Sequence, residues 1–122
     1  MHTKTIQVNG ANISIVQSDT ICIADTQSAL DFMMTMRYEN NCDCIVLNKE
    51  AITEDFFVLS TRVAGEILQK FINYQFKLAI VGNFSHYKSQ PLKDFIYESN
   101  NGKDIFFLST EEEAIRKFKN IL

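Results

Sequence analysis

The sequence predicts an α/β fold: an N-terminal β-hairpin followed by alternating helices and parallel strands. It calls for four to five strands and about four helices in a single domain spanning residues 1–122. Three observations predict it. Two alternating apolar/polar stretches flank Asn9-Gly10, the dipeptide most typical of two-residue hairpin turns. Residues 43–47, 76–81 and 104–108 are short runs with apolar residues on both faces, as in buried parallel strands. Stretches of helical period separate these runs, which implies crossover connections and a parallel sheet.

The elements follow in order. Residues 3–8 and 11–16 alternate, with Ile6 and Val8, then Ile13 and Ile15, on one face. Residues 21–24 (Ile-Cys-Ile-Ala) read as a strand extension or as a loop packed on the core. Asp25 or Thr26 caps a helix reaching about Glu39, whose apolar positions include Ala29, Leu30, Met33, Met34, Met36 and Tyr38. Adjacent helical positions turn by about 100°, so the three methionines cannot all face one core. After the strand at 43–47, a long helix is predicted from about Leu59 to Tyr74. Leu59, Val63, Ile67 and Phe71 lie four apart, and Arg62, Glu66 and Lys70 form an i, i+4 ladder on another face. Gly82 closes the next strand, and Pro91 suits the first turn of a helix ending near Asn100-Asn101-Gly102. Following the last strand, Thr110 and Glu113 have the spacing of a capping box. The final helix places Ala114, Ile115, Phe118, Ile121 and Leu122 on one side, and Glu112–Arg116 and Glu113–Lys117 pairs on the other.

Composition narrows the function. Twelve basic and fifteen acidic residues leave a net charge of −3, whereas a general nucleic-acid binder carries a basic surplus. One proline, four glycines and no low-complexity run describe a folded chain. No apolar run approaches the roughly 20 residues of a membrane span, and the first residues lack the apolar run of a secretory signal. Three cysteines, with Cys42 and Cys44 as a C-x-C pair, fit reduced residues in or beside core strands better than zinc ligation. These readings predict a cytoplasmic protein without nucleic-acid or membrane partners, cofactor or metal.

The segments 47–50 (Leu-Asn-Lys-Glu), 56–57 (Phe-Phe), 64–71 (Ala-Gly-Glu-Ile-Leu-Gln-Lys-Phe), 79–82 (Ala-Ile-Val-Gly), 94–100 (Asp-Phe-Ile-Tyr-Glu-Ser-Asn) and 105–107 (Ile-Phe-Phe) carry a resemblance over nearly the whole chain. They resemble an uncharacterised bacterial family, domain of unknown function 4180. The order of elements is also similar to the STAS domain of anti-sigma-factor antagonists, and residues 105–114 look like the closing strand, cap and helix of those domains. That resemblance implies a regulatory module acting through protein contacts. It also implies a switch serine at the start of the helix after the third strand, near Ser60-Thr61 here. The Asp-Ser-Ser-Gly-Leu pentad of those domains is absent, so only the location carries over.

In open α/β sheets ligands gather beyond the carboxyl ends of the strands. The loops meeting that rule are 48–55, 82–90 and 109–110. They supply the candidate ligand- or partner-binding residues: Asn48, Lys49 and Glu50; Ser60, Thr61 and Arg62; Asn83 and His86. Ser60-Thr61 sit where free helix N–H groups favour an anion or phosphate, and the plainer account of them is N-capping. Lys49, Glu50, Glu54 and Asp55 have the composition for acid–base work, and equally that of a solvated loop. His86 is a lone loop histidine. No catalytic residue is assigned. Phe56, Phe57, Phe84 and Tyr87 are candidates for an apolar contact patch. Ten phenylalanines exceed what the obvious stripes need, which points to an interface or a homodimer. The leading expectation is a non-enzymatic regulatory protein-interaction module of STAS-like fold, modulated by an anion or phosphate near Ser60-Thr61. The alternative is a small-molecule-binding protein or enzyme with its site at the carboxyl ends of the parallel strands. A purely homodimeric structural role is a third reading.

Overall fold

The computed structural model describes all 122 residues. Asn9 and Gly10 both take positive φ (52° and 85°), the backbone of a turn whose twist matches its strands. They join β1 (His2–Val8) to β2 (Ala11–Gln17) in an unbroken antiparallel register, from Val8 opposite Ala11 to His2 opposite Gln17. The three apolar runs become β3 (Cys44–Asn48), β4 (Lys77–Val81) and β5 (Ile105–Leu108). Each pairs in parallel with its predecessor, so the sheet runs β1-β2-β3-β4-β5.

Consecutive parallel strands joined by right-handed crossovers put their helices on one face. The burial follows that rule. One face of the sheet (Val16, Ile45, Leu47, Leu78, Ile80, Ile105, Phe107) packs on residues of α1 (Thr26–Asn40), α2 (Val63–Asn73) and α3 (Gln90–Asn100). The opposite face (Ile13, Ile15, Cys44, Val46, Ala79, Phe106) packs on Ala114 and Phe118 of α4 (Glu111–Ile121). Period-two alternation in β2 to β5 thus serves two cores, which is why the parallel strands read as apolar on both sides. Asn9 ties the hairpin tip to the end of α4 by donating to the carbonyls of Lys119 and Leu122, each at 3.1 Å.

Asp25 caps α1 in a reciprocal box with Ser28, and Asn41 ends the helix in the left-handed conformation (φ 50°). Met33 and Met36 are buried, Met34 is half-buried and Tyr38 is exposed. Residues 21–24 are a loop on the core. Its backbone pairs with that of residues 51–53 through a single bridge, Ile23 to Ile52.

Three expectations are corrected. The helix predicted from Leu59 begins at Val63; before it the chain makes two 3₁₀ turns, Glu54–Phe57 and Leu59–Thr61, and turns through a left-handed Arg62 (φ 66°). The Thr61 hydroxyl holds this turn, 2.8 and 2.7 Å from the carbonyls of Asp55 and Val58. None of the predicted helix-surface ion pairs forms. The pairs within 4 Å are Lys4–Glu111, Arg37–Asp43, Lys49–Glu54 and Lys77–Asp104, the first and last of which link residues far apart in the chain. Arg62 lies outside the helix, and exposed i, i+4 pairs hold too weakly, at about 0.3–0.5 kcal/mol, to fix a geometry. The surplus of phenylalanine is largely taken up by the core: eight rings are buried, and Phe84 and Phe95 are half-buried.

Candidate functional site

The carboxyl ends of β2 to β5 meet at one pole. Asn48, the last residue of β3, is buried (6 % exposed). Its carboxamide accepts from the Ser18 N–H at 2.8 Å and donates to the Ser18 carbonyl at 2.7 Å, joining the exits of β2 and β3. The same amide nitrogen lies 3.2 Å from Glu50 Oε1. Gly82 leaves β4 by donating its N–H to the Leu108 carbonyl of β5 at 3.0 Å. The Lys49 side chain crosses directly over Gly82; a Cβ there would meet the Lys49 Cβ at 2.7 Å. Absence of a side chain at 82 is what lets residue 49 lie down.

Lying down brings the Lys49 ammonium to Glu54 Oε1 at 3.0 Å. The other carboxylate oxygen of Glu54 accepts from the Tyr87 hydroxyl at 2.8 Å. The ammonium also stands 4.9 and 5.1 Å from the ring centres of Phe57 and Tyr87, which stack on one another at 5.3 Å. Phe84 packs on Phe57, Tyr87 and Phe107, and Phe107 on Phe56 and Phe95. An aromatic lid thus continues the helix-side core up to the pole, with one cation and one carboxylate clamped to its outer layer.

This arrangement fixes the charge states. Burial raises the Tyr87 phenol's pKa, and Glu54 adds to that against the opposing pull of Lys49. Burial would also raise the Glu54 carboxyl, but the hydrogen bonds from Tyr87 and Lys49, and the charges of Lys49 and His86, outweigh it and lower it. Burial would lower the Lys49 ammonium; Tyr87 and Glu54 outweigh that and raise it. Each group is therefore held in its ordinary neutral-pH state. A lysine kept charged is a poor base, and a carboxylate kept ionised is a poor acid. The cluster links the segment carrying Lys49 and Glu54 to the loop carrying Tyr87.

The remaining predicted residues sort around it. Glu50 is exposed, and its carboxylate accepts a hydrogen bond from the Asn48 amide at 3.2 Å. The exposed Asn83 spends its carbonyl on the N–H and hydroxyl of Ser85, shaping its own turn. His86 is exposed, with its ring 4.1 Å from that of Tyr87. Ser60, Thr61 and Arg62 are exposed beside the lid; Thr61 is the one engaged internally, and Arg62 occupies the N-cap position of α2 without a side-chain cap. Between the Phe57–Ser60 turn and the Tyr87–Pro91 segment opens a shallow groove of about 360 Å³. It is lined by Phe57, Val58, Leu59 and Ser60 on one side and Tyr87, Lys88, Ser89 and Pro91 on the other. Val58 stands 49 % exposed in it.

Asn48, Lys49 and His86 are thereby brought to one pole, with Ser60 on the groove. Glu54 and Tyr87, read separately as an acid–base candidate and as part of an apolar patch, prove to be hydrogen-bonded to one another, while the groove residues Val58, Lys88 and Ser89 were not among the candidates. The legible trace of Tyr87 was the pair Phe84 and Tyr87 inside a polar loop. Nothing marked Val58, because its exposure depends on the two 3₁₀ turns.

No group of three or more His, Cys, Asp or Glu residues is placed to hold a metal ion, and no helix is long and apolar enough to cross a membrane. Neither the curated proteins nor the solved structures compared with the chain gave a match. A family model described as Domain of unknown function (DUF4180) matches residues 8–118, from the end of β1 to the last turn of α4. The chain belongs to that family.

Proposed function

We propose that this protein is a non-enzymatic regulatory module of STAS-like fold that binds a protein partner at the carboxyl pole of its sheet. The observation that carries the reading is the groove beside Val58. Buried or half-buried Phe57, Leu59 and Tyr87 line it together with the exposed polar residues Ser60, Lys88 and Ser89. That is the anatomy of a small protein interface: an apolar centre with a polar border. The neighbouring ionisable groups support it, since Lys49, Glu54 and Tyr87 satisfy one another rather than converging on a ligand. The hairpin-first order of elements and the parallel sheet are what the STAS-like reading requires. Within that reading, control by modification or an anion falls to Ser60, because the Thr61 hydroxyl is already committed to the turn.

The reading is tested by affinity capture from the native source with the wild type and with Val58→Asp. A specific partner held by the wild type and lost by a folded Val58→Asp supports it. Equal capture by both would refute it. A thermal shift with a nucleotide, phosphate or other small molecule that disappears in Lys49→Ala would instead favour a small-molecule site at the same pole.

A further inference from the structure

The two edges of the sheet are finished differently. On β5 the outward peptide groups of Phe107 are both taken by a side chain of α3. The Phe107 N–H donates to Asn100 Oδ1 at 2.7 Å, and Asn100 Nδ2 donates to the Phe107 carbonyl at 3.1 Å. The carboxamide imitates a neighbouring strand, and the exposed edge is only four residues long. Short length and occupied peptide groups are two ways of keeping other strands off an edge.

β1 has neither. It is seven residues long, with no proline and no bulge. In a two-residue hairpin the pair flanking the turn exchanges both hydrogen bonds, and bonding then alternates along the ladder. Val8 opposite Ala11 is that pair, so Val8, Ile6, Lys4 and His2 aim their peptide groups at β2. Thr3, Thr5 and Gln7 aim theirs away from the sheet. No side chain and no other segment bonds those outward groups, and all three residues are exposed. Threonine also suits an extended strand.

We propose that β1 pairs antiparallel with β1 of a second copy of the chain, about a twofold axis at Thr5, joining two five-stranded sheets into one of ten strands. The strand is complementary to itself in this register. Thr5 faces Thr5, Thr3 faces Gln7, Lys4 faces Ile6 and His2 faces Val8, so no like charges stand directly opposite. The three facing pairs formed by the outward groups supply roughly six main-chain hydrogen bonds. Lys4 is already paired with Glu111 of α4 at 3.1 Å. Two-residue turn, open edge and twofold symmetry are together the ingredients of a closed dimer rather than an open fibre. This surface is separate from the Val58 groove, so either can fail without the other.

Light scattering of the full chain over a concentration series tests it. The wild type is expected to approach the mass of two chains. Thr5→Lys and Thr5→Glu each place like charges across the axis, where facing side chains come within about 5.5 Å, and each is expected to remain at the mass of one chain. An equimolar mixture of the two variants is expected to return to the mass of two, because lysine then faces glutamate. Thr5→Pro, which removes an outward N–H and leaves the ladder to β2 intact, gives a second route to the single chain. Circular dichroism confirms that each variant is folded. A wild type that keeps the mass of one chain at every concentration overturns the proposal, including the case where it takes up only a foreign extended peptide at this edge. Variants that keep the mass of two chains, or a mixture that fails to re-associate, overturn it as well.

Discussion

The Lys49 side chain lies across Gly82, so close that a Cβ on residue 82 would sit 2.7 Å from the Lys49 Cβ. This contact makes the lid possible, because only a flat-lying Lys49 reaches Glu54 and the faces of Phe57 and Tyr87. Gly82→Ala is therefore expected to destabilise the fold by about 1–3 kcal/mol, the usual cost of overpacking. Urea unfolding measures it. Lys49→Gly removes the opposing Cβ, so the double variant Lys49→Gly/Gly82→Ala should lose less than the sum of the two single losses. Strict additivity would count against the contact.

Glu54 gives the lid a pH dependence. Its carboxyl titrates below its ordinary 4.5 in the folded chain. A group with a lowered folded pKa contributes stability above its unfolded pKa and loses it as pH falls through the folded value. The contribution is thus whole at neutral pH and fades below about pH 4.5. Glu54 is 66 % exposed, so solvent screening keeps the contribution below about 1 kcal/mol. The stability difference between wild type and Glu54→Gln, followed by thermal unfolding, is expected to shrink towards zero as the pH drops from 7 to 3. A difference constant over that range would contradict the pairing. Lys49 and Tyr87 have raised values, so their contributions hold up to about pH 10 and are lost only above it.

Asn48 is the fixed point between β2 and β3. Replacing it with alanine leaves the Ser18 N–H and carbonyl without their partner in a buried place. The expected loss is about 2–4 kcal/mol, from two peptide groups at roughly 1–3 kcal/mol each with partial relief by water. Asn48→Asp is expected to fall well short of wild type too. It can accept from the N–H but not donate to the carbonyl, and it brings a charge beside Glu50. Urea unfolding that leaves Asn48→Ala within about 0.5 kcal/mol of wild type would reduce it to an ordinary surface residue.

The cysteines divide by burial. Cys44 is 3 % exposed, and burial first, with Asp43 beside it, pushes its thiol up to about 11. Cys42 is also buried, with its sulfur 2.7 Å from the Ser14 hydroxyl, while Cys22 is half-exposed. A thiol reagent at pH 8 is expected to modify Cys22 alone in the folded chain and all three residues in denaturant, because thiolate fraction and access govern the rate. Mass spectrometry reads the sites. Rapid modification of Cys44 in the native state would contradict the two-core packing.

Much of the fold was legible because its signals are local. Asn9-Gly10 dictates a turn through two positive φ values, and the strands at 44–48, 77–81 and 105–108 are apolar on both faces because helices cover both faces. The start of α2 was not legible. Leu59 continues the apolar stripe of Val63, Ile67 and Phe71, yet the Thr61 hydroxyl and the left-handed Arg62 break the chain there, a result of contacts rather than periodicity. At the pole, the strand-end rule located Asn48, Lys49 and Gly82, whose positions follow from the parallel sheet. It could not pair Glu54 with Tyr87, which lie 33 residues apart in the chain and meet only in the folded structure. The phenylalanines misled in the other direction, since a lid that extends the core to the pole absorbs rings that a simple helix-on-sheet core would leave outside.

The central claim is that the groove at Val58 is where another protein docks. The most direct measurement places a photo-crosslinking amino acid at Val58, and in a control at Tyr38, which is 85 % exposed at the far end of α1. Irradiation in extract of the native source is expected to give one discrete protein adduct from position 58 and none in common from position 38. No adduct at 58, or the same adducts from both positions, would contradict the account.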